Sequence, residues 1–276
     1  MPTCSAVLLR LAIFIFLGLC TQTIFAQSKC EKDENGILLC DLSISLIEEI
    51  SKTTPQVVVV ERAWQLTPTE RSNLEIQLRD FSETWCETTL GKSRIRNISV
   101  LRGHRKSSSD IALYKREGRS YSYVGAFVGL KPSIVAYYGS YYQPNEVDRF
   151  LGRVIVHELS HAALKVYDEY REFGATSGEF CGDPLENDNP RQTMMNDHRR
   201  YTRYSHPDDY VGIPAPSTAQ NRCYGKSAWE VLVQPERCDS NLSLEVNAWF
   251  PRQDYFATTE TCVPASVPPI DTLLHP

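Results

Sequence analysis

An α+β fold is what this sequence predicts: a small mixed sheet, a helix packed on it, a second helix carrying polar chemistry, and an irregular, disulfide-bearing C-terminal lobe. Three observations predict it. Gln56-Val57-Val58-Val59-Val60-Glu61-Arg62 is a β-branched run of strand length, and Thr67-Pro68-Thr69-Glu70 opens a helical apolar pattern. Further on, Val147, Phe150, Leu151, Val154, Ile155, Leu159 and Ala162 recur at three- and four-residue intervals, the stripe of an amphipathic helix. With 42% of residues apolar, the chain can bury a core for one large domain or two lobes.

Taken in order, residues 56–62 read as a buried strand because nothing in the run alternates with polar residues. The helix that follows combines Thr67 as N-cap, Pro68 at the first helical position and Glu70 as the capping-box partner, with Leu74, Leu78, Phe81 and Trp85 on its apolar face. Strand candidates come next at 97–102, 110–115 and 133–141. Pro144, Asn145 and Glu146 are start signals that place the second helix from about residue 145.

That second helix carries His157-Glu158-Leu159-Ser160-His161. Positions four apart are rotated by about 400°, a net offset of roughly 40°, so both imidazoles can reach one zinc ion at about 2.0–2.1 Å. Glu158 then faces the open side of the metal, where a carboxylate can take a proton from zinc-bound water and return it to a leaving amine. A third protein ligand is expected beyond the helix, and Asp168 is the candidate. On a continuous helix Asp168 would lie about 10 Å further along the axis, so the helix must end near Ala163 to Lys165. Glu169 is the fallback ligand or a residue supporting Asp168, and His198 is a competing third ligand. A sheet, a packing helix and an active-site helix beneath is the order of a zincin upper lobe.

The run His157 to Tyr170 resembles the N-terminal metallohydrolase domain of the calcium-activated chloride channel regulator family, whose histidine-glutamate-x-x-histidine motif is followed by a Gly-Val-Phe-Asp-Glu-Tyr-like segment. A second block agrees: Ala215-Pro216, Gln220-Asn221-Arg222-Cys223 and Lys226-Ser227-Ala228-Trp229-Glu230-Val231-Leu232 resemble the family's cysteine-containing segment. The resemblance spans roughly residues 30 to 250, with its motifs dense only after residue 145. It implies His157, His161 and Asp168 as zinc ligands and Glu158 as the catalytic residue. Lys165 departs from the family's glycine, and a left-handed lysine costs about 1–2 kcal/mol. The chain ends at Pro276, short of the von Willebrand A-type and later domains of longer relatives. A stand-alone module is therefore expected, and self-cleavage and channel regulation are not carried over.

Residues 6 to 20 are dominated by apolar side chains, with Arg10 near the start and Ala26 at their end, the pattern of a secretory signal over 1–26. The zincin-like domain is then 27–262, its upper lobe reaching about 164, and 263–276 is a Pro-rich tail. Removing the leader leaves Cys30, Cys40, Cys86, Cys181, Cys223, Cys238 and Cys262. Three disulfides and one leftover thiol are expected, with Cys30–Cys40 as a local pair. Asn97 and Asn241 open glycosylation sequons. A net charge of −5 without a basic stripe argues against nucleic acid, and after signal cleavage no stretch remains that could insert in a membrane.

Several further roles are open. Met194 and Met195 are candidates for a methionine turn beneath the metal, and Tyr201 or Tyr204 for an oxyanion donor. Ser133 to Tyr142 is nominated as the edge strand that pairs with an extended substrate. The expectation is a secreted zinc metalloendopeptidase with one catalytic ion acting on proteins or peptides. The alternative is a secreted non-catalytic binding module on the same scaffold; an adhesion module would leave Glu158 without a purpose.

Overall fold

The computed structural model describes residues 30–53, 57–101, 109–122, 124–125, 132–140, 150–170, 192–211, 218–233, 236–237, 245–246 and 262. The expected signal segment, Asn241, Cys181, Cys238, Tyr141, Tyr142 and the Pro-rich tail lie outside them.

The chain opens with a hairpin. Strands β1 (Cys30–Lys32) and β2 (Leu38–Thr53) pair antiparallel with Cys30 opposite Cys40, and the predicted disulfide joins those two residues. Asp33 Oδ1 accepts from the Asn35 and Ile37 amides, and Gly36 takes φ +78°, which a side chain would resist. Strand β3 (Val57–Ala63) pairs antiparallel with β2. The expectation of a buried strand there is corrected, since Val59 is 56% exposed: β-branched residues favour extended backbone whether or not both faces are covered. Helix α1 (Pro68–Thr88) starts as the sequence dictates. Thr67 Oγ1 accepts from the Glu70 amide at 3.2 Å and Glu70 Oε2 accepts from the Thr67 amide at 2.8 Å, completing the capping box.

Strands β4 (Ser93–Leu101) and β5 (Ile111–Tyr114) both run parallel to β2, and β7 (Ile134–Tyr137) runs parallel to β5. A short antiparallel strand, β6 (Tyr121–Ser122), caps the order β1-β2-β5-β7-β6. The segment nominated as the sheet edge, 133–142, is thus an inner strand followed by a 3-10 turn at Tyr138–Ser140, and the edge belongs to β6.

Alternation along β5 and β7 sorts side chains to two faces. Ile111, Leu113, Ile134 and Ala136 join the main core, whereas Ala112, Tyr114, Val135 and Tyr137 form a smaller cluster with Ile47. The main core lies between the sheet, α1 and helix α2 (Phe150–Leu164). Leu74, Leu78, Phe81 and Trp85 of α1 are each 0% exposed, the face the heptad-like spacing predicts. The two helices touch closely at Gly152, where a Cβ would meet the Gln77 carbonyl at 2.9 Å and the Phe81 nitrogen at 2.8 Å. Only glycine allows that crossing.

Beyond α2 the described residues hold a 3-10 turn at Pro207–Tyr210, helices α3 (Ala219–Tyr224) and α4 (Ala228–Val233), and a small ladder of β8 (Glu236–Arg237) with β9 (Glu245–Val246). A second disulfide, Cys86–Cys262, ties the end of α1 to the far end of the described chain. Cys223 is disulfide-bonded too, with its partner outside the described residues. The molecule is therefore a mixed-sheet α+β protein with disulfides, and no helix among the described residues is long and apolar enough to cross a membrane.

Candidate metal centre

Helix α2 presents His157, Glu158 and His161 inside the protein, at 3%, 7% and 6% exposure. Its end delivers the third group. Lys165 adopts φ +60°, the left-handed conformation that the resemblance implied for this position, and its carbonyl accepts from the Tyr224 hydroxyl at 3.0 Å. The reversal lets the Val166 amide donate back to the Ser160 carbonyl at 3.2 Å and returns Asp168 beneath the helix. The Asp168 carbonyl accepts from the Gln220 amide at 3.0 Å, while Gln220 Oε1 accepts from the Tyr167 amide at 2.8 Å, so α3 holds the turn.

The result is a small triangle. His157 Nε2 and His161 Nε2 stand 3.2 Å apart, and Asp168 Oδ1 lies 3.1 Å from the first and 3.2 Å from the second. These three residues are the one group of potential metal ligands among the described residues. A tetrahedral ion with bonds of about 2.0–2.1 Å has ligand-to-ligand edges of about 3.3–3.4 Å, close to the triangle observed.

Protonation is dictated by what stands behind each ring. His157 Nδ1 faces the Met194 carbonyl at 3.1 Å and His161 Nδ1 faces the Val166 carbonyl at 2.6 Å. Carbonyl oxygens only accept, so both Nδ1 atoms carry a proton and both Nε2 atoms face the triangle's centre. Two ring nitrogens and a carboxylate oxygen converging at such distances repel unless a proton or a metal cation is shared among them. Asp168 Oδ1 is also a buried oxygen with no conventional hydrogen bond, while Oδ2 accepts from the Tyr170 hydroxyl at 2.8 Å. The residues fit a metal ion.

Without a metal ion, a proton on His161 takes the cation's place. Burial opposes charge on both His161 and Asp168, yet Asp168 lifts the imidazole to about 9, and the two imidazoles hold the carboxyl well below its ordinary range. Burial pushes the Glu158 carboxyl up, with His157 and His161 offsetting part of the rise. Edge strand β6 borders this residue: the Ser122 hydroxyl donates to the Glu158 carbonyl at 2.8 Å, and the Gly125 amide donates to the His161 carbonyl at 2.9 Å.

The remaining candidates separate. His198 is buried beside His157, ring centroids 4.7 Å apart, but is not in the ligand group; burial, then His157, pushes its imidazole well below the usual value. Glu169 is not a ligand either. Its side chain is turned away from the triangle into hydroxyl donors, because adjacent residues of an extended turn point to opposite sides. Met194 and Met195 are both 0% exposed in the core, and what Met194 contributes to His157 is its carbonyl. Tyr204 is corrected as an oxyanion donor. Ser160 Oγ donates to the Val156 carbonyl at 2.8 Å, so the Tyr204 hydroxyl, 2.6 Å away, must donate to Ser160, and the ring is 1% exposed. Tyr201 is half-buried, anchored by its amide on the Asp197 carbonyl. Asn97 is exposed on β4, with Nδ2 donating to Asp41 Oδ1 at 2.8 Å.

Sequence reasoning missed Tyr170, whose hydroxyl donates to Asp168, and Thr193, Ser205 and Tyr210, whose hydroxyls donate to Glu169. Each is an ordinary loop residue in the sequence, with no spacing rule to mark it. Comparison with protein-family models, with curated proteins and with solved structures returned no match for the chain.

Proposed function

We propose that this chain is a zinc-dependent metallopeptidase on a zincin-like scaffold, with His157, His161 and Asp168 as the metal ligands and Glu158 as the proton-transferring residue. The observation that carries the proposal is the triangle of two imidazole nitrogens and one carboxylate oxygen, with a buried carboxyl on the same helix. A two-nitrogen, one-oxygen donor set suits zinc and disfavours magnesium or calcium, which prefer oxygen alone. Held there, zinc would supply Lewis acidity, lowering the pKa of a water it binds to about 7 and polarising a carbonyl.

The chain's own residues do the rest. Glu158, lifted by burial, is a stronger base than an ordinary carboxylate, so it takes a proton from the attacking water and delivers it to the leaving amine nitrogen. The Met194 and Val166 carbonyls hold the two imidazoles in one tautomer and one orientation. Strand β6, at the sheet edge and bonded to α2 beside Glu158, replaces 133–142 as the segment against which an extended peptide would lie. The resemblance of residues 157–170 to the chloride channel regulator metallohydrolase domain supports the same ligand set. Disulfides at Cys30–Cys40 and Cys86–Cys262 suit an exported protein. Lys165, the departure from the family's glycine, already adopts the left-handed conformation that returns Asp168 to the imidazoles.

The test is elemental analysis of the full chain beside a mixed-peptide cleavage assay. One zinc per chain is expected, with cleavage abolished by chelator. Glu158→Gln should keep the zinc and lose about 10²–10⁴-fold in rate. Folded protein that takes up no zinc would sink the proposal.

A further inference from the structure

A carboxylate next to Asp168 is buried more completely than any of the three proposed ligands. Glu169 is 0% exposed, and its two oxygens accept from three hydroxyls: Thr193 at 2.8 Å, Tyr210 at 2.9 Å, and Ser205. Its backbone is engaged as well. The Glu169 amide donates to the Met195 carbonyl at 3.0 Å, and Asn196 Nδ2 donates to the Glu169 carbonyl at 2.8 Å. Ser205 in turn accepts from the Ala228 amide at 2.7 Å, at the start of α4.

One residue thus joins four segments: the turn 165–170 that carries Asp168, the turn at 193–196, the 205–210 segment and α4. Met194, within the second of these, supplies the carbonyl behind His157. The clamp therefore sets the positions of Asp168 and of the group that orients His157 relative to each other. A buried carboxylate is unfavourable unless its lone pairs are filled, and hydroxyl donors fill them only in one arrangement of those segments. That requirement turns an irregular loop region into a defined scaffold.

We propose that Glu169 is a positioning residue for the metal centre, acting through Thr193, Ser205 and Tyr210 to hold Asp168 and the Met194 carbonyl in register with the α2 imidazoles. The proposal rests on the reading of the triangle as a metal site. A carboxylate here, rather than an apolar side chain, is needed because three separate hydroxyls must converge on one point.

The experiment measures zinc affinity of the folded full-length chain by competition with a chromophoric chelator, together with the melting temperature of the metal-free form. Glu169→Ala should weaken zinc about 10–100-fold, the range for losing a group that orients ligands. Glu169→Gln keeps the shape and can accept from two hydroxyls while donating to the third, so it should recover most of the affinity. Tyr210→Phe removes one donor from the periphery and should weaken zinc by roughly 3–10-fold, a fraction of the same effect. Ile98→Val, in the distant sheet core, should lower the melting temperature and leave zinc affinity unchanged.

A purely structural Glu169 would behave like Ile98→Val: folded Glu169→Ala and Tyr210→Phe would bind zinc as tightly as wild type, and the proposal would be overturned. Should Glu169→Ala fail to fold, Tyr210→Phe decides by the same criterion. Wild-type protein that binds no zinc would instead remove the metal reading, and the positioning role with it.

Discussion

Two regions of this molecule are equally buried but differ in what fills them: the one below α2 adds polar side chains to an apolar floor of Met194, Met195, Trp229 and Leu232 that is continuous with the main core. Between the sheet, α1 and α2 the interior is apolar, with Phe81, Trp85, Ile98 and Leu113 all 0% exposed. Below α2, Glu169, Thr193, Ser205, Thr218 and Gln220 are also 0% exposed, and they are polar. Apolar packing is non-directional, so the upper half is stabilised by volume and area and tolerates apolar side chains of similar volume. Hydrogen bonds are directional, and an unmet buried donor or acceptor costs about 1–3 kcal/mol. The lower half accordingly specifies positions, which is what a ligand turn without regular secondary structure requires.

The largest expected effect tests the upper half. Phe81→Ala should destabilise the protein by about 3–5 kcal/mol in denaturant unfolding, because a fully buried aromatic leaves a cavity at the helix crossing. Zinc affinity of the folded protein should not change; a parallel loss of affinity would break the division between the halves.

A smaller effect sits at the boundary. Lys165 is left-handed at φ +60°, where a side chain costs about 1–2 kcal/mol and glycine does not, although glycine loses about 0.5–1 kcal/mol of that advantage through the flexibility of the unfolded chain. Lys165→Gly should therefore raise stability by roughly 0.5–1 kcal/mol, read from the unfolding midpoint. A decrease would mean that the lysine side chain contributes more than its backbone strain removes.

The smallest effect concerns charge in the lower half. Asp209 loses favour from burial but regains more from Arg203, whose guanidinium lies at 2.6 Å, and from the His206 amide, so its carboxyl titrates below the ordinary value. A depressed carboxyl adds stability that is present above the unfolded pKa, about 3.9, and is lost as pH falls through the folded one. Arg203 is 37% exposed, so screening keeps the contribution below about 1 kcal/mol. Asp209→Asn should be slightly less stable than wild type at pH 7 and should match it near pH 2 in paired unfolding curves. A gap that persists in acid would assign the effect to shape rather than charge.

Legibility in the sequence followed the same division. The capping box at Thr67 and Glu70 and the apolar face of α1 were readable because each is written in local spacing, and the end of α2 at Leu164 followed from the reach that Asp168 needs. Strand β2 was missed although Leu42, Ile44 and Leu46 alternate with polar residues and Asn35-Gly36 marks the preceding turn, a hairpin signal of the strongest kind. At the site, His157, Glu158 and His161 could be named from spacing. Asp168 needed the left-handed turn at Lys165, which the sequence could require but could not demonstrate.

The sequence by itself determined that two imidazoles and a carboxyl share one helix surface, since helical rotation depends only on residue number. It also determined the local Cys30–Cys40 pair, whose partners are brought together by the hairpin between them. Only the tertiary structure decided which carbonyls orient the imidazoles, that β6 rather than 133–142 forms the sheet edge, and that Glu169 turns away from the triangle toward Thr193, Ser205 and Tyr210. Those partners come from segments distant in the chain, joined by single hydrogen bonds that impose no periodicity on the residues supplying them. A helix writes its geometry into spacing, whereas a polar clamp exists only once the chain has folded around it.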